Sequence, residues 1–195
     1  LIISGYPLDS STEQNPNVAR FVERQVSGGK NGVALVTLGS MALSYDTRLA
    51  LGDAIVNHLR QYDMAAVMLG YPQDLTANDV YSPDKLFLAY SAHLPLFDVA
   101  FFHGGAGTFH ELLRAGVPFI TSPFFGDQGS WTKIGLEMGI CLGSFDPYSP
   151  ADLPDLSNHS KFAERSRTFA RSEAQYAQSA GNNAHLLTQI ALGLR

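Results

Sequence analysis

Short, wholly apolar runs alternate along this chain with stretches whose apolar positions return at helical spacing. Gly32 to Leu38 (GVALVTL) is apolar and β-branched almost throughout and closes on Gly39-Ser40, the form of a strand buried on both faces. From Tyr45 to Tyr62 the apolar residues Leu49, Leu51, Ile55, Leu59 and Tyr62 recur near helical spacing, which predicts a helix. Met64 to Gly70 (MAAVMLG) and Lys85 to Tyr90 (KLFLAY) are further apolar runs, and the polar, Pro-containing stretch between them reads as a loop. Asp98 to Phe102 predicts a strand, and Thr108 to Ala115 a helix stopped by Gly116 with Pro118 just beyond. Val117 to Thr121 is again strand-like, Gln128 to Met138 helical up to Gly139, and Ile140 to Gly143 a last short strand.

Apolar strands alternating with helices call for a parallel sheet covered on both faces, a Rossmann-like α/β fold. The expected organisation is one domain: residues 1–31 as linker and opening segment, 32–145 as the Rossmann-like core, 146–159 as a loop rich in Pro, Asp and Ser, and 160–195 as two terminal helices parted at Gly181. The first residues, LIISGYPLD, lack a Met and read like an interior strand and turn, so part of a larger protein, or an engineered fragment, is expected.

Charge narrows the choice of ligand. The formal net charge is -5 and no block of Lys or Arg occurs, so the electrostatic footprint of a nucleic-acid binder is missing. An anion would have to be held by something other than a basic patch. The single cysteine, Cys141, excludes an internal disulfide and reads as a small core residue. No apolar run approaches the roughly 20 residues of a membrane span and no signal segment is recognisable, which favours a cytoplasmic location.

The chemistry concentrates in AFFHGGAGTFHELLRAGVPFITSPFFGDQ, residues Ala100 to Gln128. Ligands of parallel α/β sheets sit at the carboxyl ends of strands, where helix N-termini point, and His103 to Thr108 fall there. Glycines at 104, 105 and 107 let free backbone amides approach phosphate oxygens, so a phosphate can be bound without lysine. His103 stands beside those amides as a donor, and Thr108 can cap the helix and offer its hydroxyl. Glu111 follows on the same helix face, either as an acceptor for ribose hydroxyls or as a carboxylate near the helix start. Asp127 and Gln128 lie at the next strand end, either as acceptors for sugar hydroxyls or as helix caps.

Competing motifs fail. His110 stands where a dinucleotide fingerprint needs its third glycine, and no Walker Gly-Lys-Ser/Thr exists. HELLR, from His110, has Arg114 in place of a zinc protease's second His, which leaves His110 as a packing or surface residue. No Asp-x-Asp is present to clamp a divalent ion on a diphosphate, so no metal is expected.

The run HGGAGTFHELLRAGVPFITSPFFGDQ resembles the donor-site signature of GT-B glycosyltransferases, above all the sterol glucosyltransferase-like and macrolide transferase-like members. SGYPLD resembles the segment after their interdomain linker, and VTLGSM the first glycine turn of their donor domain. The resemblance implies a C-terminal donor-binding half for a nucleoside-diphosphate sugar, most often UDP-glucose, used as co-substrate with no cofactor. It implies that His103 and the amides of Gly105, Ala106, Gly107 and Thr108 hold the diphosphate, Glu111 the ribose, and Asp127 with Gln128 the sugar. Gly39 and Ser40 would touch the phosphate or nucleoside, and Tyr90 and Ser91, in an AYSAH segment that departs from the common pattern, the base. Acceptor binding and the catalytic base would belong to an N-terminal domain, in cis or on another chain. The acceptor would be a lipid, a sterol or another small molecule carrying a hydroxyl. A non-catalytic nucleotide-sugar module is the alternative reading, and a dinucleotide oxidoreductase a distant third.

Overall fold

A computed structural model of the protein describes residues 14–38, 44–71, 77–83, 88–150, 152–172 and 174. In chain order these form α1 (Pro16–Ser27), β1 (Gly32–Thr37), α2 (Tyr45–Gln61), β2 (Met64–Leu69), β3 (Val80–Tyr81) and α3 (Tyr90–His93), the last running into a 3-10 turn at Leu94–Leu96. They continue as β4 (Val99–Phe102), α4 (Ala106–Ala115), β5 (Phe119–Thr121), α5 (Gln128–Met138) and β6 (Cys141–Ser144), then a helix, α6, over residues 159–172.

The sheet is all parallel, in the order β3-β2-β1-β4-β5-β6. That is the order of doubly wound dinucleotide folds, with the reversal of winding between β1 and β4. Strand alternation explains the two cores. Val33 and Leu35 of β1, with Ala100 and Phe102 of β4, pack under α1, α4 and α5 through Phe21, Phe109, Leu112, Trp131 and Ile134. The intervening Ala34, Val36, Val99 and Phe101 face α2 through Leu51, Ile55 and Leu59. With both faces covered, β1 and β2 have no exposed position, which is why their sequences show no polar alternation.

The Rossmann-like reading therefore holds, with local corrections. The opening segment contains α1, started by the Asn15 side chain, which accepts from the Asn17 amide, and by Pro16. Its buried positions Val18, Phe21, Val22 and Gln25 follow helical spacing, and with the Asn-Pro start this helix was legible in the sequence but went unread. The stretch after Gly70, read as loop, supplies the two-residue β3, too short to leave a periodic signal. Of Lys85 to Tyr90, residues 85–87 lie outside the described residues, and Tyr90 opens α3. Of the two terminal helices, α6 is seen in part, and the one expected beyond Gly181 lies outside the described residues.

α6 lies across the C-terminal ends of α4 and α5. These helices stop at left-handed Gly116 and Gly139, and a Cβ there would come within 3.0 Å of Arg167 Cα and 2.9 Å of Arg165 Nε. The Arg165 guanidinium thus complements the negative end of the α5 dipole. Cys141, at the start of edge strand β6, is buried as expected, and burial pushes its thiol up to about 11.

Candidate functional site

β4 and β5 are register neighbours, with Phe102 opposite Thr121, so the loops that leave them emerge side by side at the carboxyl edge of the sheet. Gly104 turns the chain with φ +87, and a Cβ there would lie 3.0 Å from the Gln128 carbonyl oxygen. Only a glycine allows the β4–α4 turn to lie this close to the start of α5.

Gly105 is the N-cap of α4, in extended conformation and with no side-chain cap bond. The first four amides of a helix have no intrahelical acceptor; here they are those of Gly105, Ala106, Gly107 and Thr108. Their N–H groups and the positive end of the helix dipole form an anion site without a cationic side chain. Thr108 is not the cap that its residue type suggested. The helix starts two residues earlier, which puts its hydroxyl on the first turn.

His103 folds back over this turn, and a Cβ on Gly105 would collide with its Nε2. Burial lowers the proton affinity of the ring, while the Thr37 backbone and the Asp127 charge pull the other way. The net direction is down from the ordinary 6.5, so the imidazole is neutral at pH 7. Nδ1 is buried without a hydrogen-bond partner of good geometry, and the ring centroid stands 6.2 Å from that of Phe124.

Glu111, one turn further along α4, is largely covered and stands 3.5 Å from Arg114 Nη1. Asp127 occupies the N-cap position of α5 but makes no capping bond; its carboxylate accepts the Trp131 indole N–H at 2.8 Å. Gln128 differs from its neighbour. It is buried, and its Oε1 accepts from the amides of Phe124 at 2.9 Å and Phe125 at 3.3 Å, closing the loop on itself.

Tyr90 and Ser91 sit on α3, just before β4, where Tyr90 is half-buried against the core and Ser91 exposed. This short helix is tied to the start of α1. Buried His93 donates from Nδ1 to the Ala89 carbonyl at 2.8 Å and accepts the Asn15 amide on Nε2 at 2.7 Å, while Gln14 Nε2 donates to the Ala92 carbonyl at 3.1 Å. Gly39 and Ser40 lie outside the described residues.

The structure thus brings His103, Gly105 to Thr108, Glu111, Asp127 and Gln128 to two adjacent strand ends. His110 is a packing residue, edge-on to Trp131 at 5.1 Å. Trp131 and the His93 tie went unread in the sequence, although a donor four residues after an exposed helix-start Asp is a legible cue for the first. Among the described residues, no group of three or more His, Cys, Asp or Glu is placed to hold a metal ion.

Comparison with known proteins gives the family and the fold. The sequence profile of the family described as UDP-glucoronosyl and UDP-glucosyl transferase matches residues 9–133, well over half of the chain. A sterol 3-beta-glucosyltransferase of Aspergillus terreus is 32% identical over 155 residues, covering 72% of this chain and 11% of the relative. One of Leptosphaeria maculans is 35% identical over 148 residues, covering 71% and 10%. The chain therefore spans about a tenth of the length of these relatives. Among solved structures, Phytolacca americana UGT2 complexed with UDP-2fluoro-glucose and pterostilbene superposes with TM-score 0.68 at 19% identity, over 96% of this chain and 45% of that one. The glycosyltransferase VinC, in complex with dTDP, gives 0.60 at 18% identity, over 85% and 41%. At these identities the structural likeness shows the fold.

Proposed function

This chain belongs to the UDP-glucoronosyl and UDP-glucosyl transferase family, and from that premise we propose that it is the donor-binding half of a hexosyltransferase using a UDP-sugar, UDP-glucose foremost. The observation that carries the reading is the uncapped start of α4, roofed by the His103 ring and flanked by the exposed Asp127 carboxylate. A diphosphate would take the amides of Gly105 to Thr108 and a hydrogen bond from His103. Glu111 would hold the ribose, and Asp127, with Gln128 beside it, would face the sugar. Gly39, Ser40, Tyr90 and Ser91 would surround the nucleoside.

The reaction is displacement at the anomeric carbon. A base in an acceptor-binding domain, in cis or on a separate chain, takes the proton of the acceptor hydroxyl. The oxygen bonds to the anomeric carbon as the bond to the diphosphate breaks, and the helix start and His103 stabilise the departing charge. The printed names of the relatives make a sterol or similar lipid the first acceptor to try. Among the described residues no helix is long and apolar enough to cross a membrane; a cytoplasmic enzyme, peripheral to a membrane through its acceptor half, fits such a substrate.

Titration calorimetry with UDP, UDP-glucose and NAD tests the donor assignment. The uridine ligands should bind in the micromolar to millimolar range, about -8 to -4 kcal/mol, and more tightly than NAD. His103→Ala and Glu111→Ala should each weaken UDP by roughly tenfold, the scale of one charge-assisted hydrogen bond. UDP affinity unchanged in His103→Ala would overturn the diphosphate site, and tighter binding of NAD would overturn the ligand class.

A further inference from the structure

We infer that Trp131 is a positioning residue for the donor sugar: its indole N–H fixes the Asp127 carboxylate so that the remaining lone pairs meet the sugar hydroxyls. The inference rests on the donor-site reading above and goes beyond it.

Asp127 is exposed and makes no capping bond, so nothing on its own helix turn orders the carboxylate. The indole Nε1 donates to Oδ2 at 2.8 Å from one turn further along α5. That donor is itself immobilised. The Trp131 ring lies 5.2 Å from Phe109 and 5.1 Å from His110, both on α4, the helix whose first turn forms the anion site. The carboxylate is thereby referenced to the diphosphate position by rigid aromatic packing rather than by its own loop. Gln128 cannot share the acceptor role through Oε1, which two backbone amides already occupy. Asp127 is left as the acceptor at this junction, and Trp131 decides where its oxygens point. A bond serving only the start of α5 would matter equally to every ligand.

Trp131→Phe keeps the ring and removes the N–H. The expected result is a UDP affinity within about twofold of the parent chain, with UDP-glucose weakened roughly three- to tenfold, the range of one hydrogen bond. In an Asp127→Ala background the same change should add nothing, since the partner is gone. Equal losses for UDP and UDP-glucose, or an undiminished loss in the Asp127→Ala background, would overturn the assignment. A parent chain that binds no UDP would overturn the donor-site reading and this inference with it, whereas UDP binding without a selective loss removes Trp131 alone. Should the variant fail to fold, the unaltered chain still decides. Trp131 is its one tryptophan, so UDP-glucose should shift the intrinsic emission and UDP should not; identical responses would overturn the proposal.

Discussion

In the proposed donor site, burial lowers the proton affinity of His103 before any diphosphate arrives, and that has consequences at the bench. A diphosphate beside the ring favours the imidazolium, so binding near pH 7 should take up a fraction of a proton and UDP affinity should rise as the pH falls towards 6. Calorimetry in two buffers of different ionisation enthalpy measures the uptake; its absence would mean that His103 donates while neutral. In the empty protein the sign reverses. Folding lowers the proton affinity of His103, so the unfolded chain binds that proton first. The contribution to stability is complete above about pH 6.5 and shrinks below it. Gly105 is the companion test. A methyl group there collides with Nε2, so Gly105→Ala should displace the ring and cost roughly tenfold in UDP affinity while leaving the melting midpoint within a few degrees, as a titration and a thermal scan of one sample would show.

Helix α5 shows space overruling propensity. Gly135 lies in mid-helix, where alanine is ordinarily better by about 1 kcal/mol. Here a Cβ would lie 2.8 Å from Phe119 Cζ and 3.0 Å from Cys141 Cβ, and overpacking of this kind costs about 1–3 kcal/mol. Gly135→Ala should therefore destabilise the chain, by up to about 2 kcal/mol, in denaturant unfolding. The same contrast explains what the sequence revealed. Strands buried on both faces announce themselves by composition, as GVALVT and MAAVML do. Helices closed by glycine were equally legible at Gly116 and Gly139. α1 went unread although Val18, Phe21, Val22 and Val26 fall at helical spacing behind an Asn-Pro start, whereas two-residue β3 had no room for a period. At the candidate site, the motif picked out residues that converge in space but not what each side chain does. Nothing local in GDQGSW says that Gln128 serves the backbone while Asp127 faces outwards.

On the scale of the whole molecule, the sheet divides the labour. Its carboxyl edge gathers the candidate site residues, while its opposite end is closed by α6 against the stops of α4 and α5. Because α4 contributes Phe109 and Leu112 to the core and its first turn to the candidate site, bound ligand should stiffen the sheet as a unit, but β6, which among the described residues pairs with β5 alone, stands at the margin of that unit. The chain's single thiol, Cys141 at that margin, turns this difference into a clock. A thiol dye can reach Cys141 only during moments of opening, and at a hundred times the dissociation constant a ligand suppresses complete opening by about 2.7 kcal/mol, roughly a hundredfold in rate. If the edge peels away by itself, UDP will leave the labelling rate within about twofold of its value in the empty protein. A hundredfold slowing would instead mean that the sulfur is uncovered only when the entire sheet lets go.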